Sequence, residues 1–264
     1  MPVTTVNGLR AHHEISGPDG GRPLVLAHAL GLDLRVWDAL LPLLPPDVRV
    51  LRYDLRGHGL SDAPEGDYFM GDLVADAASL IEATGFGGAV FVGLSIGGVV
   101  AQGLAAERRD LLAGVVLACT AAKIGTEARW RDRMALVRAG GIEAIADGVL
   151  EKWFGRAFRR DRAAELAVWR DRLTQSPVAG YLGCCAAMAD TDLRLSTAGL
   201  RLPALMIAGS EDGSTPPDLV RETAETIPGA RFALIRGAAH MAPIERPEAL
   251  AGLIAGFLDG IDAA

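Results

Sequence analysis

The stretch AVFVGLSIGGVVAQGLAA, residues 89–106, carries no charged side chain, and what it folds into constrains the whole chain. By length alone it approaches a membrane span, which needs about 20 apolar residues. Its interior argues otherwise. Ser95 and four glycines, Gly93, Gly97, Gly98 and Gly103, sit inside it. AVFVG reads as a short buried strand that stops at Gly93, and GGVVAQGLAAE then reads as a helix. The segment is therefore a strand, a tight glycine-framed turn and a helix, with Ser95 at the turn in the pattern G-x-S-x-G.

The rest of the chain supplies matching pieces. Strand-like runs fall at residues 3–6, 9–15, 23–29, 48–53, 89–93, 113–118, 203–209 and 232–235. From the third onward they are mostly continuous apolar runs, as in strands buried on both faces. Helical patterns lie between them at 71–84, 97–107, 218–227 and 245–258. This alternation predicts an α/β fold, a mostly parallel sheet flanked by helices. Residues 121–197 break it with helical patterns only, among them RWRDRMALVRAGG and DRAAELAVWRDRLTQS. We expect 1–120 and 198–264 to form the core and 121–197 a helical cap over the sheet's carboxyl edge, where open α/β sheets bind ligands.

Half of the 264 residues are hydrophobic and 22% are charged, which suits a packed core. A net charge of −7 weighs against nucleic acid or an anionic membrane as partner. The N-terminus lacks the charged and apolar regions of a secretory signal, so a cytoplasmic protein is expected. Cys119, Cys184 and Cys185 have no metal-ligand spacing and read as free buried thiols.

A serine on so tight a turn matches the nucleophile elbow of the α/β-hydrolase fold. Serine is a poor nucleophile at its free pKa and needs a histidine base oriented by an acid. In this fold the order is Ser, acid, His. Asp212 follows the run PALMIAG, and His240 follows the next strand in GAAHMAPIE. Glu211 is the neighbouring alternative to Asp212. His12 and His13 read as surface polar residues, His58 as a loop-shaping residue, and His28 as a brace for the loop AHALGLD. That loop and the elbow would form the oxyanion hole through the backbone N–H groups of Leu30 and Ile96. Serine rather than aspartate at the elbow points to acyl transfer to water, with esters, lactones, thioesters and activated amides all open.

The segments YDLRGHGLSDAPEGDY, FVGLSIGGVVAQGLAAERRDLLAGVVLACTAAKIGT, GYLGCCAAMADTDLR and AGSEDGSTPPDLVRETAETIPGARF together resemble the 3-oxoadipate enol-lactonases of the α/β-hydrolase superfamily, over essentially the whole chain. The resemblance puts a catalytic triad on Ser95, Asp212 and His240. It implies opening of a small enol-lactone by water in bacterial aromatic degradation, with no metal or organic cofactor. Some relatives are fused to a carboxymuconolactone decarboxylase, which is expected to be absent here. The substrate carries a carboxylate whose burial calls for a cation or strong donors from the cap. Arg133 and Arg129 near Trp130, or Lys152 near Trp153, are candidates, with Trp130 and Trp153 as pocket walls. One departure is Ala29 in HAL, where many α/β hydrolases have glycine after the histidine. Rival readings are a broad carboxylesterase or cofactor-free haloperoxidase-type perhydrolase with the same triad, and a non-catalytic ligand sensor. The pattern fixes no oligomeric state.

Overall fold

In the computed structural model, which describes residues 2–262, the apolar runs are strands of one eight-stranded sheet. They are β1 (Val3–Val6), β2 (Leu9–Ser16), β3 (Arg22–Ala27), β4 (Val48–Tyr53), β5 (Ala89–Leu94), β6 (Leu112–Ala118), β7 (Ala204–Gly209) and β8 (Arg231–Ile235). Their order is β1-β2-β4-β3-β5-β6-β7-β8. β1 and β2 pair antiparallel across a two-residue Asn7-Gly8 turn, both residues at positive φ, which matches the twist of a tight hairpin. β2 also pairs antiparallel with β4, and all the remaining pairs are parallel. Every residue of β5 and β7 is buried, which is why these strands read as unbroken apolar runs.

The helices are α1 (Met70–Thr84), α2 (Ile96–Glu107), α3 (Glu127–Gly140), α4 (Glu143–Trp153), α5 (Arg156–Asp161), α6 (Ala163–Thr174), α7 (Val178–Asp190), α8 (Arg194–Ala198), α9 (Pro217–Thr226), α10 (Ala242–Glu245) and α11 (Pro247–Asp262). α2 packs on β5 and β6, α9 on β7 and β8, and α11 on β6 and β8. Six helices, α3 to α8, lie between β6 and β7. On α3, Trp130, Met134 and Val137 are buried, a spacing of four then three residues that turns one face inward. Among the described residues no helix is long and apolar enough to cross a membrane.

Two expectations are corrected. The helix expected at 245–258 begins two residues later, because Pro247 disfavours helical backbone at Arg246 and opens α11 as its first residue, while Glu245 closes the short α10 before it. His12 and His13 are not surface residues; both are buried. β2 is covered because its second edge is taken by β4, with His13 opposite Tyr53. The His12 ring is held by Asp54, Nδ1 to Oδ2, at 2.7 Å.

Candidate active site

Ser95 stands between β5 and α2 with φ +57° and ψ −117°, a strained backbone for a residue with a side chain. The flanking glycines make the turn possible. A Cβ on Gly93 would lie 2.2 Å from Gly97 O, and one on Gly97 2.4 Å from Ala27 O. The end of β6 holds the turn from the other side. Ser95 N–H donates to Ala118 O at 3.0 Å, and Thr120 Oγ1 donates to Ser95 O at 2.7 Å. Ser95 is the one partly exposed residue in an otherwise buried run.

Asp212 leaves the end of β7 and His240 the end of β8, and the two meet in the interior. His240 Nδ1–H donates to Asp212 Oδ2 at 2.8 Å, with both side chains buried. This leaves Nε2 of the neutral ring as the proton acceptor. Three further donors hold the carboxylate. Ser214 and Thr215 N–H reach Oδ1 at 2.7 and 2.9 Å, and Thr215 Oγ1 reaches Oδ2 at 2.7 Å. Thr215 was not singled out from the sequence. Its signal is the D-x-S-T spacing, in which an aspartate caps the turn that follows it.

Glu211, the alternative acid, points elsewhere: its Oε2 accepts from Arg156 N–H at 3.1 Å. Glu245 is a second group missed from sequence. Its buried carboxylate accepts from Ala239 N–H at 2.7 Å and from Gly155 N–H at 2.8 Å, tying the histidine loop to the corner between α4 and α5. Burial holds its pKa above the usual carboxylate range.

The loop after β3 is fixed by two neutral imidazoles. His28 Nδ1–H donates to Ala29 O at 2.8 Å, and its Nε2 accepts from Leu55 N–H at 3.0 Å. His58 Nε2 accepts from Gly31 N–H at 2.9 Å, and its Nδ1–H donates to Arg56 O at 3.1 Å. Burial lowers both pKa values, and His58, also facing His28, is pushed down to about 3. Between these braces Leu30 N–H donates to no protein acceptor among the described residues, and neither does Ile96 N–H. Ala29 thus departs from the usual glycine while the left-handed turn falls on Gly31, φ +79°.

One cavity brings Leu30, Ser95, His240, Trp130, Trp153 and Arg133 together, with Arg129 and Ser214 at its wall. It is narrow, about 40 Å³. Trp130 is anchored by Nε1–H to Ile124 O at 2.6 Å. Arg133 lies 5.0 Å over the Trp130 ring and donates to Tyr181 OH at 3.4 Å. Among the described residues neither Arg129 nor Arg133 has a carboxylate within 4.0 Å, whereas Arg131 on the same helix pairs with Glu127. Lys152 does not line the cavity but shares the same field. Burial, then Arg129 and Arg133, hold its ammonium below the usual lysine range.

The ligand atoms of Cys119, Asp212 and His240 lie within 4.8 Å of one another. They do not suit a metal. The Asp212 oxygens already take four donors, His240 Nδ1 faces Asp212, and burial raises the Cys119 thiol well above its ordinary pKa. All three cysteines are free and buried.

The pattern of the alpha/beta hydrolase family matches residues 24–253. A protein named 3-oxoadipate enol-lactonase 1, from Acinetobacter baylyi, is 31% identical over 261 residues, covering 98% of this chain and 97% of its own. A non-heme chloroperoxidase of Streptomyces lividans is 28% identical, covering 94% of this chain and 95% of its own. The crystal structure of the enol-lactonase from Burkholderia xenovorans LB400 superposes with a TM-score of 0.94 at 38% identity, covering 98% of this chain and all of that one.

Proposed function

Because the chain belongs to the alpha/beta hydrolase family, we propose that it opens 3-oxoadipate enol-lactone with water to give 3-oxoadipate, a cytoplasmic step of aromatic-compound catabolism. The observation that carries this reading beyond a general esterase is the pair of guanidinium groups, Arg129 and Arg133, without an acid partner beside Ser95 and His240. An uncharged ester has no use for them. A lactone bearing an acetate arm does. The full-length identity to enol-lactonases supports the same substrate.

In the reaction, Ser95 Oγ attacks the lactone carbonyl as His240 Nε2 takes its proton, with Asp212 holding the ring through Nδ1. The oxyanion lies against Leu30 and Ile96 N–H. Collapse breaks the acyl–oxygen bond of the ring. The leaving oxygen takes the proton from His240 as an enol, which tautomerises to the ketone and so asks less of the acid than an alkoxide would. Water then repeats the sequence on the acyl-Ser95, and no step calls for a metal or organic cofactor. The helices of 121–197 act as the cap that supplies Arg133, Trp130 and Trp153 to the substrate.

The test is loss of enol-lactone absorbance in the ultraviolet, beside p-nitrophenyl acetate hydrolysis, with Ser95→Ala as control. A kcat/KM for the lactone within the usual enzymatic range of about 10⁴–10⁸ M⁻¹s⁻¹ and orders of magnitude above the ester supports the assignment. Preference for the ester would leave a general esterase or perhydrolase, in keeping with the chloroperoxidase relative.

A further inference from the structure

The cavity that holds Ser95 and His240 has a wall of one sign. Arg129 and Arg133 line it, and among the described residues that do so none is acidic. Asp212 is not part of that lining, and its oxygens are taken by four donors. The chain as a whole has the opposite sign, with a net charge of −7. A cationic patch on an acidic protein therefore sits beside the reacting groups, and it extends past the wall to a third cation.

Lys152 precedes Trp153, a residue of the wall, at the end of α4. Its backbone O accepts from Gly213 N–H at 3.2 Å, and its Cγ lies 3.2 Å from where a Cβ on Gly213 would stand. The start of its stem thus rests on the loop between Asp212 and Ser214, and Ser214 is itself in the wall. Lys152 is exposed and has no carboxylate within 4.0 Å among the described residues. The acids nearby are engaged elsewhere or stand outside the lining. Glu151 faces Arg159 at 3.9 Å, Glu127 holds Arg131 at 2.6 Å, and Glu211 Oε2 accepts from Arg156 N–H at 3.1 Å. Asp132 on α3 is exposed and does not line the cavity. Burial, then Arg129 and Arg133, lower the Lys152 pKa against the opposing pull of Glu151, so the three cations share one field.

We propose that this mouth is an electrostatic funnel for small monoanions: Arg133 takes the carboxylate, while Lys152 never touches the ligand and raises its local concentration through the field it shares with Arg129. The proposal deepens the lactone reading, from which it takes only the negative charge of the substrate. Such a field reaches over the Debye length, about 30 Å at 0.01 M salt and about 3 Å at 1 M, whereas a partly buried contact pair is screened much less. Salt therefore separates the two roles. The share of a steering residue vanishes at high salt, and that of a contact residue remains. A cleft lined by one sign raises the arrival of the opposite charge by about tenfold or more, of which Lys152, one cation of three, should carry about two- to threefold.

Mono-4-nitrophenyl glutarate and 4-nitrophenyl pentanoate make the test, since they differ only by a carboxylate in place of a methyl group and both release 4-nitrophenolate. For the full chain, raising sodium chloride from about 0.01 M to about 1 M should lower kcat/KM for the glutarate about tenfold and for the pentanoate by less than about twofold. At the low salt, Lys152→Met should lower kcat/KM for the glutarate about two- to threefold and Lys152→Glu about fivefold, both through KM. The pentanoate should not change, and at the high salt all three proteins should act alike on the glutarate. The enol-lactone, run beside the esters, tells the two readings apart. A salt response confined to the glutarate without lactone turnover removes the lactone reading and keeps the funnel. Lactone turnover with an equal salt response of the two esters keeps the lactone reading and overturns the funnel. A Lys152→Met deficit that persists at high salt, or that the pentanoate shares, overturns it as well.

Discussion

Arg133→Met removes a charge while keeping a long apolar stem, so it separates recognition of an anion from packing over Trp130. The guanidinium is half-buried, faces the cavity and has no acid partner, so a substrate carboxylate would meet it without first breaking an ion pair. A hydrogen bond to a charged group is worth about 1.5–3 kcal/mol. At about 1.4 kcal/mol per tenfold, kcat/KM for the enol-lactone should fall roughly ten- to a hundredfold, mostly through KM. The control is α-angelica lactone, the same enol-lactone ring with a methyl group in place of the acetate arm. Its kcat/KM should change by no more than about twofold, since an uncharged arm makes no such bond. Initial rates for both substrates, followed in the ultraviolet, give the comparison. An equal fall on both substrates would mean that Arg133 serves only to pack the wall, and no fall on either would remove it from substrate recognition.

Thr215→Val deletes one of the four donors to Asp212 at nearly constant volume. It should cost about 2 kcal/mol in urea unfolding and lower kcat more than it raises KM, and Thr215→Ser should recover both; a serine variant as impaired as the valine one would point to packing instead. His58 is pushed down to about 3 by burial and His28, against about 6.5 unfolded. The unfolded chain therefore binds a proton below pH 6.5 that the folded protein refuses, and stability falls as pH drops from 6.5 toward 3, by about 2 kcal/mol at pH 5. Denaturant midpoints at pH 7.5 and 5 measure this, and His58→Gln should flatten the slope. Glu245→Ala leaves two buried N–H groups, Gly155 and Ala239, without an acceptor, and should destabilise by about 2–5 kcal/mol; an unchanged melting temperature would contradict the bridging role.

What the sequence disclosed follows from which forces are local. β5 and β7 were legible because burial on both faces leaves no polar residue in the run. Asp212 and His240 were legible because each ends a strand, and the parallel order of β7 and β8 brings those ends together. The histidine pair on β2 was misread because its cover comes from β4, far along the chain. Thr215 looked like any turn residue until Asp212 was seen facing it. On α3 the pairing of Arg131 with Glu127 is local, four residues apart on one helix, whereas the placing of Arg129 and Arg133 at the cavity is set by how the helix packs. The break before α11 was written in Pro247, but the apolar periodicity on either side masked it.

Glu245 ties two distant pieces of the chain to one point. A single carboxylate clasps both the loop that carries His240 and the corner between α4 and α5. Because α4 ends at Trp153, the station of the base and the aromatic wall of the cavity are set by the same buried group.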